Sequence, residues 1–160
     1  DMDAAFQSFL SLLHTLRDEL SHLSELARQK NAAVCGDDLT ALDKVMRQEQ
    51  AAALRFRGLE QKREELLSSL GLNGVPLAAV PDRFPAAMRA DAVSAVRELQ
   101  DQYRIYQANA EVARNTLECN LHEVEQVLAA LGKETPPPQS SGYTAAEAEP
   151  PQSMKTDFRA

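Results

Sequence analysis

Cys119 and His122 are the two residues whose type and spacing most resemble metal ligands. They lie three positions apart, so on a helix they would share one face, as two ligands of a zinc site can. A structural zinc site needs four ligands, however, and Cys35 is the only other cysteine. His14 and His22 belong to no His-Glu-x-x-His pattern. We therefore expect no metal site and no disulfide.

Glu49, Glu60 and Arg63 are charged residues that interrupt an otherwise apolar helical stripe. Paired carboxylates can hold two metal ions, but the ferritin-like arrangement needs Glu-x-x-His on two helices of a four-helix bundle, which this sequence does not provide. Glu60 and Arg63 are spaced to pair with each other on one helix. Glu49 would then meet Lys30, Arg28 or another helix. We interpret these residues as ion pairs that fix the register of packed helices.

Motifs typical of enzymes are missing from the chain, and its composition excludes several other classes. It has no Gly-rich phosphate loop, no Gly-x-Ser-x-Gly and no Cys/His nucleophile pairing. Hence we expect no enzyme and no cofactor. The net charge of −7 and the absence of Trp argue against a nucleic-acid partner. No apolar run reaches the ~20 residues of a membrane span, and no signal sequence is recognisable, so we expect no membrane insertion and a cytoplasmic location.

The elements that must position these residues are predicted to be three long helices and no strands. A heptad pattern in the third helix repeats at three-four spacing for about five heptads. Similar stripes run through the first half of the chain. The members of the heptad pattern in the third helix are Val96, Leu99, Tyr103, Tyr106, Ala110, Ala113, Leu117, Asn120, Val124, Val127 and Leu131.

The predicted helices cover about residues 3–34, 38–70 and 86–131, and a Gly- and Pro-rich connection spans 71–85. The short first turn makes the first two helices an antiparallel hairpin. The fold class predicted is therefore all-α, an elongated three-helix, coiled-coil-like bundle formed by a hairpin and a longer third helix.

The chain divides into a helical bundle at 1–132 and a Pro-rich tail at 133–160. The tail has small polar residues and almost no apolar periodicity, so it is predicted to be disordered or to fold only on binding a partner.

The third helix is predicted to outrun the hairpin. At 1.5 Å per residue the first two helices span roughly 50 Å and the third about 70 Å. The excess would leave an apolar face with no partner inside the monomer, which is typical of a binding surface. The alternative is a shifted third helix, with the connection folded along the other end. The exposed face would comprise Leu121, Val124, Val127, Leu128 and Leu131, with Asn120 at its beginning.

The chain resembles the FlgN-type flagellar export chaperones over about 140 residues. The resemblance lies in the hairpin, in the segment NAEVARNTLECNLHEVEQVL with Asn109 and Asn120, and in Tyr143 of the tail. The matching hairpin positions are Lys30, Asp38, Leu42, Glu49, Glu60, Arg63, Leu66 and Leu70.

This resemblance implies a cytoplasmic chaperone without ATPase activity. Such proteins bind C-terminal segments of the hook–filament junction proteins (FlgK and FlgL, also called hook-associated proteins) and deliver them to the flagellar export gate. From the residues themselves we expect a client's amphipathic helix to dock on the exposed apolar face. The resemblance adds Asn109 and Asn120 as client-binding residues and Tyr143 as the residue that docks on the export gate. An alternative reading from the residues alone is a structural coiled-coil protein that forms a homo-oligomer through the same face.

Overall fold

The computed structural model describes residues 1–132, which form three long α-helices. They are α1 (Met2–Cys35), α2 (Leu39–Ser69) and α3 (Arg89–Ala130). Two short 3-10 segments, Leu77–Arg83 and Ala86–Met88, join α2 to α3. The described residues contain no strand, which confirms the all-α fold class. The predicted tail, with Tyr143, lies outside the described residues.

A three-residue turn closes the hairpin between α1 and α2. Gly36 follows the last residue of α1, and Asp37 takes the left-handed backbone conformation with φ 52°. The side chain of Asp38 accepts a hydrogen bond from the backbone N–H of Ala41 at 3.0 Å. This bond caps α2 by pairing an amide that has no partner within the helix. The turn is therefore built from a glycine stop and an aspartate cap.

The core lies along α1, which packs against both other helices. Phe9, Leu13, Leu16 and Leu20 of α1 are fully buried. Each such side chain contributes about 2 kcal/mol when removed from water. The residues that face this stripe include Phe56 on α2 and Leu99, Tyr103 and Tyr106 on α3, all of them buried. The prediction that both tyrosines belong to the core is confirmed.

The connection between α2 and α3 closes one end of the bundle. Leu77, Val80 and Phe84 are buried, and the ring of Phe84 lies 4.7 Å from that of Phe6 in the second turn of α1. The connection therefore packs at the end of the bundle where α1 begins. The hairpin turn, and the part of α3 that reaches it, lie at the opposite end.

Two ion pairs are buried within the hairpin. Arg63 donates two hydrogen bonds to Glu60, at 2.6 Å and 3.0 Å, and both side chains are almost completely buried. Lys30 Nζ lies 2.9 Å from Glu49 Oε1 across α1 and α2. The pairing predicted for these charged residues is confirmed.

Removing the charge of Glu60 tests how far the hairpin depends on its buried pair. In Glu60→Gln the guanidinium of Arg63 stays buried beside a neutral amide, which we expect to lower the unfolding free energy by about 3 kcal/mol. The measurement is equilibrium denaturation in urea. The matched control is Asp43→Asn, which breaks an exposed pair with Arg47 on the same helix and should cost under about 0.5 kcal/mol. Equal losses in the two variants would contradict the assignment.

Candidate functional site

The register between α1 and α3 is marked by an ion pair that joins the two parallel helices. Arg17 Nη1 lies 2.5 Å from Glu98 Oε2, an offset of 81 residues. The pKa of Arg17 is raised above its ordinary value, first by the hydrogen bond to Glu98 and then by Asp18. With the same offset, Cys35, the last residue of α1, lies level with position 116 of α3 (35 plus 81). Beyond that position α3 has no hairpin beside it.

The burial of α3 side chains ends close to the same position. Ala113 is its last buried residue, and every residue from 114 to 132 is half-buried or exposed. We call residues 118–131 the overhang. About fourteen residues at 1.5 Å each make it roughly 20 Å long.

The overhang carries an apolar stripe. The exposed fractions are 54% for Leu121, 49% for Val124, 59% for Val127 and 66% for Leu131, and Leu128 is half-buried. So many exposed aliphatic side chains on one helix are unusual for a surface that stays in contact with water. We call these five residues the apolar stripe.

The apolar stripe continues the face of α3 that packs in the core nearer the start of the helix. Tyr103, Ala110, Leu117, Val124 and Leu131 recur every seven residues, so they lie along one side of the helix. Exposure rises along this row from buried Tyr103 to exposed Leu131. The apolar stripe thus lies on the side of α3 that packs on α1 earlier in the helix. It is uncovered because α1 has ended.

The two asparagines proposed for client binding occupy different places. Asn120 is half-buried at the beginning of the overhang. Asn109 is also half-buried but lies eleven residues earlier, about 16 Å along the helix, in the part of α3 that packs on the hairpin. The structure does not bring the two together. Tyr143, proposed for docking on the export gate, is outside the described residues.

Leu117 lies at a core-type position of the heptad pattern but is half-buried. Burial along α3 ends one turn earlier, at Ala113. The last turn of α1 supplies only Ala33 and Val34 as buried side chains, and these are too small to cover a leucine on the neighbouring helix. Leu117 therefore adjoins the apolar stripe.

Cys119 and His122, the two residues spaced like metal ligands, are on the surface. Cys35 and Cys119 are free and exposed. The ring of His122 shares a 3.0 Å hydrogen bond with the side-chain amide of Gln126. Among residues 1–132 no group of three or more His, Cys, Asp or Glu side chains is placed to hold a metal ion. In the same range no helix combines the length and apolar character required to cross a bilayer.

The family model described as FlgN protein matches residues 2–151. No curated protein and no solved structure gives a significant match.

Paired substitutions on α3 test whether the overhang contributes to stability. Leu121→Gln changes a side chain that is 54% exposed, whereas Leu99→Gln places an amide in a fully buried position. We expect the first to alter the unfolding free energy by less than about 0.5 kcal/mol and the second to lower it by about 3 kcal/mol or more. Urea denaturation of both variants gives the comparison. A large loss in Leu121→Gln would mean that the overhang is covered within the monomer.

Proposed function

We propose that this chain, which belongs to the FlgN family and is thereby a flagellar export chaperone, binds C-terminal segments of hook-associated proteins and delivers them to the export gate. The observation that carries the proposal is the overhang. It presents an apolar stripe that continues the core face of α3 and has no hairpin beside it. An amphipathic helix from a client can pack on the overhang in the way that α1 packs on the preceding part of α3.

The size of the apolar stripe suits reversible binding. The four exposed aliphatic side chains of the apolar stripe gain roughly 1 kcal/mol apiece when a partner covers them, and the half-buried Leu128 gains less. Ordering a client segment on binding costs a few kcal/mol. The stripe alone therefore supports modest affinity, and other contacts, such as those of Asn120, must add to it. Modest affinity fits a chaperone that has to release its client.

Within this proposal the chain works in the cytoplasm, where clients are synthesised, and no chemical step is required of it. Docking on the export gate is assigned to Tyr143, in a part of the sequence separate from the overhang. Separate sites for client and gate would allow a loaded chaperone to contact both at once.

Two substitutions in the apolar stripe test client binding. We expect Val124→Gln with Leu128→Gln to weaken binding of a hook-associated protein's C-terminal segment at least about tenfold, since losing two apolar contacts costs 1.4 kcal/mol or more. Isothermal titration calorimetry measures the affinity. The control is Leu54→Gln with Val93→Gln, two exposed apolar residues far from the overhang, which should bind like the unsubstituted chain.

The same variants separate the proposal from the alternative of a structural coiled coil. If the stripe serves only self-association, sedimentation will show an oligomer that Val124→Gln with Leu128→Gln dissociates, and the client segment will bind neither form. Client affinity unchanged by the two substitutions would overturn the assignment of the overhang.

Tyr143→Ala tests the delivery step. Because Tyr143 is assigned to the gate and the overhang to the client, we expect client affinity to be unchanged and secretion of hook-associated proteins to fall several-fold. Secretion is measured in the medium of cells that carry the variant, with Tyr143→Phe as the conservative control. Loss of client binding in Tyr143→Ala would contradict the division of roles.

A further inference from the structure

The charges of α3 change character where the helix leaves the hairpin. Between residues 89 and 114 four arginines are interspersed with four carboxylates. Between residues 115 and 131 the chain has Glu118, Glu123 and Glu125 and no Lys or Arg. The overhang is thus acidic as well as apolar.

The three carboxylates stand on both sides of the apolar stripe. Glu118 and Glu125 are seven residues apart, so they lie in one row, next to Leu121 and Leu128. Glu123 precedes Val124 and lies on the opposite side of the stripe. Glu118 and Glu123 are exposed, and Glu125 is half-buried. A helix laid on the stripe would therefore meet carboxylates along both of its edges.

Where α1 covers α3, acidic residues beside the helix interface form ion pairs. Glu98 pairs with Arg17 of α1 across the helix interface, and Asp101 pairs with Arg104 on α3 itself. Within residues 1–132, none of the three overhang carboxylates forms an ion pair. The covered part of α3 thus shows how an acidic flank pairs with a basic residue of a neighbouring helix.

We propose that the occupant of the apolar stripe is an amphipathic helical segment whose apolar face is flanked by Lys or Arg on both sides. This inference rests on the proposed function and adds the charge of the client. Opposite charges at the edge of a helix pair set partner choice, and like charges repel. A second copy of this chain would bring three more carboxylates to the same edges. The acidic flanks therefore favour a basic client over self-association.

Two synthetic peptides of about 20 residues test the charge preference. Both have the same Leu/Val stripe, and one carries Lys at the flanking positions where the other carries Glu. We expect the full-length chain to bind the Lys peptide at least about tenfold more tightly, measured by fluorescence anisotropy. The preference should shrink as salt is raised to about 0.5 M, because exposed charges are then screened.

Charge reversal locates the preference. Glu118→Lys, Glu123→Lys and Glu125→Lys together should make the chain prefer the Glu peptide. The control, Glu64→Lys, Glu65→Lys and Asp82→Lys, makes the same change in net charge at exposed sites away from the overhang and should keep the preference for the Lys peptide. Failure of the Lys peptide to bind, equal binding of the two peptides, or the same switch in the control would overturn the inference.

The client itself distinguishes failure of this inference from failure of the proposed function. If binding of the hook-associated segment depends on Val124 and Leu128 but not on the three carboxylates, only the charge inference is wrong. If that binding depends on neither set, the proposed function of the overhang is wrong. Loss of binding in both sets of variants, with the controls unaffected, supports both.

Discussion

The unequal lengths of two parallel helices determine the rest of this structure. α1 has 34 residues and α3 has 42, and the two are packed in one register by a continuous apolar core and by the Arg17–Glu98 pair. The connection before α3 is fixed at the other end, where Phe84 packs on Phe6 and Phe9. With the offset of 81 residues, α3 begins level with position 8 of α1 (89 minus 81). Since α3 is longer, begins later along the bundle and cannot slide without breaking these contacts, its last part must emerge beyond the hairpin turn.

A second interhelical ion pair aligns α1 with α2. An apolar interface alone allows helices to shift by a turn at low cost, whereas the Lys30–Glu49 pair joins α1 to α2 and is satisfied in one alignment only. Glu60 and Arg63 both lie on α2, so their pair stabilises that helix without setting its alignment. Lys30 and Glu49 thus help to fix the hairpin on which α3 packs. In a member of the FlgN family the apolar stripe is where we place client binding, with acidic flanks that select the partner.

Periodicity and turn residues were sufficient to predict the helices, because the apolar stripes and the glycines are local features of the sequence. The Glu60–Arg63 pair followed from its i,i+3 spacing. The packing of Phe84 on α1 could not be predicted, since it depends on how a Pro-rich segment turns in three dimensions. Leu117 is only half-buried although it lies at a core-type heptad position, because the heptad pattern carries no information on where the neighbouring helix ends. The acidic flanks of the overhang were visible in the sequence, but their meaning depended on knowing which residues α1 leaves uncovered.

Amide hydrogen exchange of the full-length chain, with and without the C-terminal segment of a hook-associated protein, shows whether the overhang binds the client. We expect the client to slow exchange in residues 118–131, where a helix without a neighbour gains one, and to leave the exposed face of α2 unchanged. Protection confined to α2 or to the connection at 71–88, with exchange in 118–131 unaltered, would contradict client binding at the overhang.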